Sequence, residues 1–423
     1  MIELLRIRNN KEQVAAALLK RNILAEPILN DILLKDCQWR GRKQELDSVL
    51  EEANGLAKEI GPLMAKGEHE KANELKSRNV ELKSEEATLK AEVDRLEKEI
   101  NGLLFQLPNT PTEEVKRGND SNDNEVVYES GVFPDFSFNP KPHWDLAKEK
   151  ELIDFELGVK VTGAGFPFYR GKGAKLQRAL ISFFLDEAGK AGYEEFQAPL
   201  FVNEASAFGT GQLPDKEGQM YHDDRDDLYL IPTAEVPLTN IFRDVLIPNP
   251  SFSYKLCGYT PCFRREAGSY GKDVRGLNRL HQFDKVEIVR IEHPNNTSKA
   301  LEEMVSHVKG LLEKLELPYR VLRLCGGDMG FASAMTYDFE VYSAAQEKWL
   351  EVSSVSRFDT FQSNRLKLRF KDEDKKNRLC HTLNGSALAL PRIVAALLEN
   401  HQQADGTIQI PQVLIPYTHF DVL

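Results

Sequence analysis

The chain has 423 residues, of which 41% are hydrophobic, and a formal net charge of −11. This length exceeds one ordinary core, so two or three domains are expected. The acidic total excludes a protein that coats RNA by bulk charge, although local basic patches remain compatible with RNA binding. Five cysteines without a CxxC pair argue against zinc or a disulfide framework and favour a cytoplasmic location. No apolar stretch approaches the ~20 residues that span a bilayer, so no membrane partner is expected.

Residues from about 27 to 104 are predicted to form an antiparallel helical hairpin with its turn near Gly67. The second helix carries a heptad seam at Ala72, Leu75, Asn79, Leu82, Glu86, Leu89, Val93, Leu96, Ile100 and Leu103. A matching seam in the first helix comprises Trp39, Leu46, Val49, Ala53, Leu56, Ile60 and Leu63. Two helices of about 35 residues would give an arm roughly 50 Å long.

The hairpin by itself is compatible with a dimerisation coiled coil, a spacer or an RNA-binding arm. Its charges are nearly balanced, so the sequence shows no basic stripe. The candidate phosphate contacts are Arg40, Arg42, Lys43, Lys76, Arg78, Lys83 and Lys90. Residues 107–123, rich in Pro, Asn, Asp and Gly, are predicted to be a linker at a domain boundary.

Mixed strands and helices are predicted after the linker. A helix over about 174–190 precedes a strand ending in QAPLFV. In LYLIPTAEVPLT, Pro232 is expected to end a strand and the TAE tripeptide to lie in the following loop. The hydroxyl of Thr233 and the carboxylate of Glu235 could both accept hydrogen bonds from an ammonium group.

Residues 258–288 are predicted to form a strand, a long loop and a second strand. Paired strands can hold Arg264, Glu266, Phe283 and Glu287 in fixed positions, offering a cation for phosphate, an aromatic ring for a base and carboxylates for amines. The arginine fork can neutralise a carboxylate and the phosphate that it attacks. The flexible, basic loop between the strands contains Gly268, Gly271, Lys272, Arg275, Gly276 and Arg279.

These segments together resemble class II aminoacyl-tRNA synthetases, with motif 1 at about 174–202, motif 2 at about 258–288 and motif 3 at about 382–402. The motif sequences HQFDKVE and TLNGSALA are most similar to those of the seryl-tRNA synthetases. The hairpin resembles the arm that these enzymes lay against tRNA. The chain ends about twenty residues after motif 3, which leaves no room for the C-terminal anticodon-binding domain of the threonyl, prolyl, histidyl and glycyl enzymes.

The resemblance implies an α+β protein with a tRNA-binding domain over 1–110 and a catalytic domain over 111–423, built on an antiparallel sheet flanked by helices. It implies a homodimer that activates L-serine with Mg-ATP and loads tRNA(Ser), with tRNA(Sec) as a further substrate. No residue is expected to become acylated. Two alternatives stay open: a paralogue that loads a carrier protein, and a non-catalytic coiled-coil RNA- or protein-binding module.

Site residues follow from the same resemblance, position by position. Arg264 and Arg392 are the expected catalytic residues. Serine is expected to contact Thr233, Ala234, Glu235, Arg264, Glu287, Asn384 and Ser386. ATP is expected to contact Arg264, Arg265, Glu266, Arg279, Phe283, Glu351, Val352, Ser353, Ser354 and Arg392, with Mg²⁺ on Glu351 and Ser354. Ala387 and Pro391 stand where many relatives have glycine, and proline is tolerated there because the first helical turn needs no backbone donor.

Overall fold

The computed structural model describes residues 1–215, 218–266 and 275–423, in two compact units. The smaller unit comprises residues 2–19 and 23–108, and the larger comprises residue 1, residues 20–22 and the chain from residue 109 onward. Within the described residues, no helix has the length and apolar character needed to cross a membrane.

The smaller unit contains four helices, two of them long. They are α1 (Leu4–Asn9), α2 (Lys11–Leu19), α3 (Glu26–Ala65) and α4 (His69–Leu104). The short turn between α3 and α4 contains Gly67, whose φ of 78° favours glycine. Ion pairs Lys35–Glu99 and Arg78–Glu52 join opposite ends of the two helices, as antiparallel packing requires. The predicted helical hairpin is confirmed.

The heptad seam supplies the apolar contact between α3 and α4. Leu46 and Val49 of α3 pack in one cluster with Leu82, Leu89 and Val93 of α4. At the C-terminal end of α4 the fully buried leucine is residue 104, whereas its predicted seam neighbour at 103 is only partly buried. This shift of the buried position by one residue is expected, because a helix with 3.6 residues per turn does not keep a strict seven-residue repeat on one face.

Most of the predicted phosphate-contacting cations of the hairpin already have carboxylate partners. The ion pairs are Arg40 with Asp36, Arg42 with Glu45 and Glu92, Lys43 with Asp47, and Arg78 with Glu52 and Glu81. Lys76, Lys83 and Lys90 are exposed and form no ion pair with any described residue. Because they are seven residues apart, these three lysines lie on one side of α4.

The larger unit combines a large sheet with helices on its faces. Its helices are α5 (His143–Glu149), α6 (Phe155–Val161), α7 (Gly171–Lys190), α8 (Glu204–Thr210), α9 (Glu235–Asn240), α10 (Thr297–Lys314), α11 (Phe361–Leu366), α12 (Leu390–Asn400) and α13 (Ile415–Thr418). Its strands are β1 (Glu125–Ser130), β2 (Ile153–Asp154), β3 (Phe168–Tyr169), β4 (Glu194–Glu195), β5 (Phe201–Asn203), β6 (His222–Asp223), β7 (Leu228–Leu230), β8 (Leu246–Ile247), β9 (Ser253–Phe263), β10 (Gln282–Glu292), β11 (Tyr319–Arg323), β12 (Met335–Ser343), β13 (Lys348–Asp359), β14 (Arg369–Lys371), β15 (Asn377–Leu379) and β16 (His381–Ala389).

Eight strands form the main sheet in the order β1-β11-β12-β13-β16-β10-β9-β4, antiparallel except for the β4–β9 pair. Helices α7, α10 and α12 bury their apolar faces in the same core as Val286 and Ile288 of β10. Side chains alternate along a strand, so Phe283, Lys285 and Glu287 share the opposite face of β10. The predicted fold class, a helical hairpin plus an antiparallel sheet flanked by helices, is confirmed.

Two predicted strand ends are wrong. The strand expected to end in QAPLFV is divided into β4 and β5, because residues 196–200 leave the sheet after pairing with β9. The strand expected to end at Pro232 ends at Leu230, and Glu235 is the first residue of α9 rather than part of a loop. Proline has no backbone N–H to donate to a neighbouring strand. It therefore limits how far a strand can extend, but the strand can end before the proline.

We expect Leu82→Ala to weaken the hairpin. Leu82 is fully buried, so truncation should lower the free energy of opening of α3 and α4 by roughly 2–5 kcal/mol. Native-state hydrogen exchange of the hairpin amides measures this quantity. The control, Val80→Ala, changes a side chain on the same helix that is 69% exposed, and should have an effect below about 0.5 kcal/mol. Equal effects of the two variants would contradict packing along the seam.

Candidate active site

The larger unit contains a cavity of about 650 Å³ over β10, β13 and β16. Most residues predicted from the sequence line it, namely Thr233, Glu235, Arg264, Glu266, Arg279, Phe283, Glu351, Val352, Ser353, Ser354, Asn384, Ser386 and Arg392. The cavity also has lining residues that the sequence did not single out, including Lys285 and Asp338. Glu287 is fully buried behind this wall.

One end of the cavity is organised around the carboxylate of Glu287. Its Oε1 accepts a hydrogen bond from Asn384 Nδ2 at 2.9 Å, and its Oε2 accepts one from the Thr233 hydroxyl at 3.0 Å. Lys285 forms an ion pair with the same Oε2 and donates to Thr233 Oγ1 at 2.8 Å. Antiparallel pairing of β10 with β16 places Glu287 beside the strand that carries Asn384. A buried carboxylate is thus fully compensated by charge and hydrogen bonds.

A second carboxylate, Glu235, lies in the same region. It follows Thr233, whose hydroxyl accepts a hydrogen bond from the Glu235 backbone N–H at 3.1 Å. Its Oε1 accepts a hydrogen bond from Gln362 Nε2 at 2.6 Å. Burial, followed by the nearby charge of Glu287, raises the pKa of Glu235 to about 7. The pocket is therefore adapted to a cation that would stabilise the ionised form of Glu235.

Arg264 and Phe283 lie together at the ends of β9 and β10. The guanidinium carbon of Arg264 lies 5.2 Å from the centroid of the Phe283 ring, in a cation–π contact. The Arg264 backbone N–H donates to the carbonyl of His281 at 2.9 Å, which fixes the start of the loop. Glu266 forms an ion pair with Arg279 across the loop. Arg264, Glu266 and Phe283 thus line the same cavity, with Arg264 against Phe283 and Glu266 paired with Arg279.

Arg392, in the first turn of α12, links three parts of the site. Its Nε donates to the carbonyl of Asn278 at 3.0 Å, and its Nη1 donates to the carbonyl of Glu351 at 2.7 Å. The Glu351 carboxylate lies 3.8 Å from the same Nη1. Pro391 also lies in this first turn, where a missing N–H has no intrahelical acceptor to lose. The guanidinium therefore reaches the cavity with two of its donors already held.

A buried histidine–glutamate pair holds the end of the loop against the last turn of α12. The Leu277 backbone N–H donates to His143 Nε2 at 2.9 Å, and His143 Nδ1 lies 2.7 Å from Glu399 Oε1. Because Nε2 accepts, the proton of a neutral ring is on Nδ1 and is donated to Glu399. Asn278, the next residue, supplies the carbonyl that binds Arg392. The pair thus positions Arg392 from outside the cavity.

The donors near Glu351 suit a divalent cation. Asp338 pairs with Ser354 across β12 and β13, and its Oδ1 is buried without a hydrogen-bond partner among the described residues. Burial, and then the charge of Glu351, raises the pKa of Asp338 well above its usual value. Magnesium prefers a few carboxylate and hydroxyl oxygens together with phosphate and water. No group of three or more His, Cys, Asp or Glu side chains in the described residues forms a closed metal site.

Part of the predicted loop lies outside the described residues, namely Gly268, Gly271 and Lys272. Its end is described. The guanidinium carbon of Arg275 lies 4.6 Å from the centroid of the Trp144 ring. Gly276 has a φ of 66°, and a Cβ there would come within 2.3 Å of His143 Nε2. Only glycine therefore allows the loop to approach the buried histidine.

Family comparisons match both parts of the chain. Residues 1–111 match the seryl-tRNA synthetase N-terminal domain, and residues 219–401 match the class II tRNA synthetase core domain of the G, H, P, S and T enzymes. A serine–tRNA ligase of Salinibacter ruber is 51% identical over 421 residues, covering 99% of this chain and 98% of the relative. The chain belongs to the seryl-tRNA synthetase family.

Further relatives are consistent with this family. A serine–tRNA ligase of Akkermansia muciniphila is 44% identical, with 100% of this chain and 99% of the relative covered. The crystal structure of seryl-tRNA synthetase from Pyrococcus horikoshii complexed with ATP has a TM-score of 0.91 at 35% identity, covering 100% and 99% of the two chains. A cytoplasmic serine–tRNA ligase structure from Naegleria fowleri, with a TM-score of 0.86 and 24% identity, shares the fold. The predicted family is confirmed.

Sequence reasoning missed three residues, namely Lys285 and Asp338, which line the cavity, and His143, which supports it from outside. Lys285 stands two residues after Phe283 and two before Glu287, so strand alternation could have placed it on the same face. Asp338 becomes a neighbour of Ser354 only through the register of β12 and β13. His143 lies more than 130 residues before its partner Leu277, and no local pattern reveals that contact.

We expect the Glu235 carboxyl to make stability depend on pH. Between about pH 4.5 and 7 the folded, ligand-free chain keeps a proton that the unfolded chain has released, so this contribution to stability falls as pH rises through that window. The substitution Glu235→Gln removes this pH-dependent contribution to stability. The stability of the variant relative to wild type should rise by roughly 2–3 kcal/mol between pH 4.5 and 7.5, as measured by urea unfolding. Glu204→Gln, at an exposed position, is the control, and a pH-independent difference for Glu235→Gln would contradict the assignment.

Proposed function

We propose that the chain is a serine–tRNA ligase that activates L-serine with ATP and transfers the seryl group to the 3′ end of tRNA(Ser). The observation that carries this function is one cavity lined by Glu235, Arg264, Glu351 and Arg392, with the buried carboxylate of Glu287 behind its wall. The serine–tRNA ligases cited above are similar over nearly their whole length.

Arg264 is proposed to bridge the serine carboxylate and the α-phosphate of ATP. The carboxylate oxygen forms a bond to the α-phosphorus and pyrophosphate leaves, giving seryl-adenylate. Two anionic groups must approach each other, and a planar guanidinium fork can neutralise and orient both. A ribose hydroxyl of tRNA then attacks the seryl carbonyl carbon and AMP leaves. These steps need positioning and charge neutralisation rather than a covalent enzyme intermediate.

The remaining predicted residues are assigned within the same proposal. Ala234, Asn384 and Ser386 complete the serine site, and Arg265, Glu266, Arg279, Phe283, Val352, Ser353 and Arg392 complete the ATP site. Mg²⁺ would be held by Glu351 and Ser354, with the buried oxygen of Asp338 behind them, and would neutralise phosphate charge. Arg392 is assigned to the γ-phosphate.

Domain roles, assembly and location belong to the proposal as well. Residues 1–110 are assigned to tRNA binding and residues 111–423 to catalysis. A homodimer is supported by exposed apolar side chains on and after the edge strand β1, among them Val126, Val127, Val132 and Phe133. Five free cysteines support a cytoplasmic location. tRNA(Sec) is included as a second acceptor.

ATP–pyrophosphate exchange without tRNA tests the first step. We expect exchange with serine and not with threonine, alanine, glycine or no amino acid. Arg264→Lys should lower kcat/KM by roughly 100-fold, because an ammonium cannot replace a bidentate fork. The exposed Arg225→Lys is the control. Exchange with another amino acid would overturn the substrate, and its complete absence in folded protein would favour the non-catalytic alternative.

The three lysines of α4 that form no ion pair in the described part of the chain provide a test of the second step. Lys76, Lys83 and Lys90 are proposed to contact tRNA phosphates. Their combined replacement by glutamine should weaken tRNA binding and lower its salt slope by roughly three, leaving serine-dependent exchange unchanged. The control is the triple replacement of Lys58, Lys66 and Lys98, which are exposed elsewhere on the hairpin. Equal losses from both triple variants, or charging of a carrier protein instead of tRNA, would contradict the assigned role.

A further inference from the structure

Lys285 is a buried lysine at the amino-acid end of the cavity to which no role has been assigned above. Lys285 is only 5% exposed. A lysine is almost never buried to this extent unless its ammonium group has a partner. Its ammonium group has two partners, the carboxylate of Glu287 and the hydroxyl of Thr233. Lys285 lines the cavity, while the Glu287 carboxylate lies behind it. A substrate entering the pocket therefore meets a cation before it meets Glu287.

The hydrogen bonds of Thr233 depend on this lysine. A hydroxyl has one proton to donate and two positions at which it accepts. Thr233 Oγ1 accepts from Lys285 Nζ at 2.8 Å and from the Glu235 backbone N–H at 3.1 Å. Its single proton is then directed to Glu287 Oε2 at 3.0 Å. With Lys285 in place, the Thr233 hydroxyl has a single orientation and no acceptor position left for an ammonium group, so the expected acceptor role in the pocket passes to Glu235.

The negative charges of Glu287 and Glu235 are compensated to different extents by neighbouring cations and hydrogen-bond donors. Glu287 has an ion pair with Lys285 and a hydrogen bond from Asn384. Glu235 has a neutral amide donor, Gln362, and no ion pair with any residue in the described part of the chain. Glu287 thus has a direct cationic partner among the described residues, whereas Lys285 and Arg264 act on Glu235 only at a distance.

We propose that Lys285 is a positioning and specificity-determining residue of the amino-acid pocket, which neutralises Glu287 so that the pocket accepts an amino acid with one ammonium group and a neutral side chain. The inference rests on the proposed function and deepens it. Glu235 receives the α-ammonium group. A second ammonium in the place of the serine hydroxyl meets Lys285, and like charges in a desolvated site repel strongly.

The informative probe is L-2,3-diaminopropionate, which has an amino group where serine has its hydroxyl. Its inhibition constant in serine-dependent exchange is compared with the KM for serine. In Lys285→Met, Glu287 becomes free to bind the second ammonium, and the ratio of the two constants should shift toward diaminopropionate by roughly tenfold or more. Lys285→Arg keeps the charge and should stay within about threefold of wild type.

Matched variants separate a charge effect from a packing effect. Lys255→Met removes a partly buried lysine of β9 and should leave the ratio unchanged. The double variant Lys285→Met/Glu287→Gln removes both charges of the pair, so it should not gain diaminopropionate binding. An unchanged ratio in folded Lys285→Met, or an equal gain in the double variant, would overturn the proposal.

The single variant leaves a buried carboxylate without its cation and can fail to fold. In that case, recovery of cooperative melting in the double variant supports charge compensation by Lys285, and failure of both overturns it. Absence of serine exchange in wild type would count against the proposed function instead. The inference would then be tested by thermal shift, which reports the binding of serine and diaminopropionate to wild type and variants without turnover.

Discussion

Burial of the Glu287 carboxylate is the constraint on which the site depends. An ionised carboxylate removed from water costs several kcal/mol unless it is paired and hydrogen-bonded. Here the partners come from three places in the chain: Lys285 from the same strand, Asn384 from β16, and Thr233 from the segment before α9. Satisfying one buried charge therefore fixes the relative positions of two sheet strands and the segment before α9.

A second buried carboxylate, Glu399 in the last turn of α12, likewise holds together distant parts of the chain. Glu399 accepts from the side chain of His143, which in turn accepts from the backbone of Leu277 at the end of the long loop. Arg392 begins the same helix and binds the carbonyl of Asn278. Both ends of α12 are thus tied to the loop by polar contacts. Because two of its donors are already used, Arg392 would lose little rotamer freedom on meeting the phosphate proposed for it, which is what preorganised electrostatic stabilisation requires.

How far the sequence predicted this structure depends on the range of the contacts. The hairpin followed from its seam, because the heptad period is local, and β9 and β10 followed from apolar runs on either side of a polar loop. The division of β4 from β5 did not, since it depends on pairing with β9. Arg264 and Glu287 were predicted through family resemblance and general chemistry. Asp338 and His143 were missed because their partners become neighbours only through strand register or tertiary packing.

The two buried carboxylates also affect how the pocket holds a proton. Like charges close together in a buried region cannot both remain ionised without enough nearby positive charge, and the charges of Lys285 and Arg264 do not offset the burial of Glu235. In the empty pocket the pKa of Glu235 is raised to about 7 by burial and by Glu287. Under the proposed function, the ammonium group of the amino acid would supply further positive charge, so Glu235 could ionise as the amino acid binds. The substrate would then take the place of the proton, and its positive charge would be part of what is recognised.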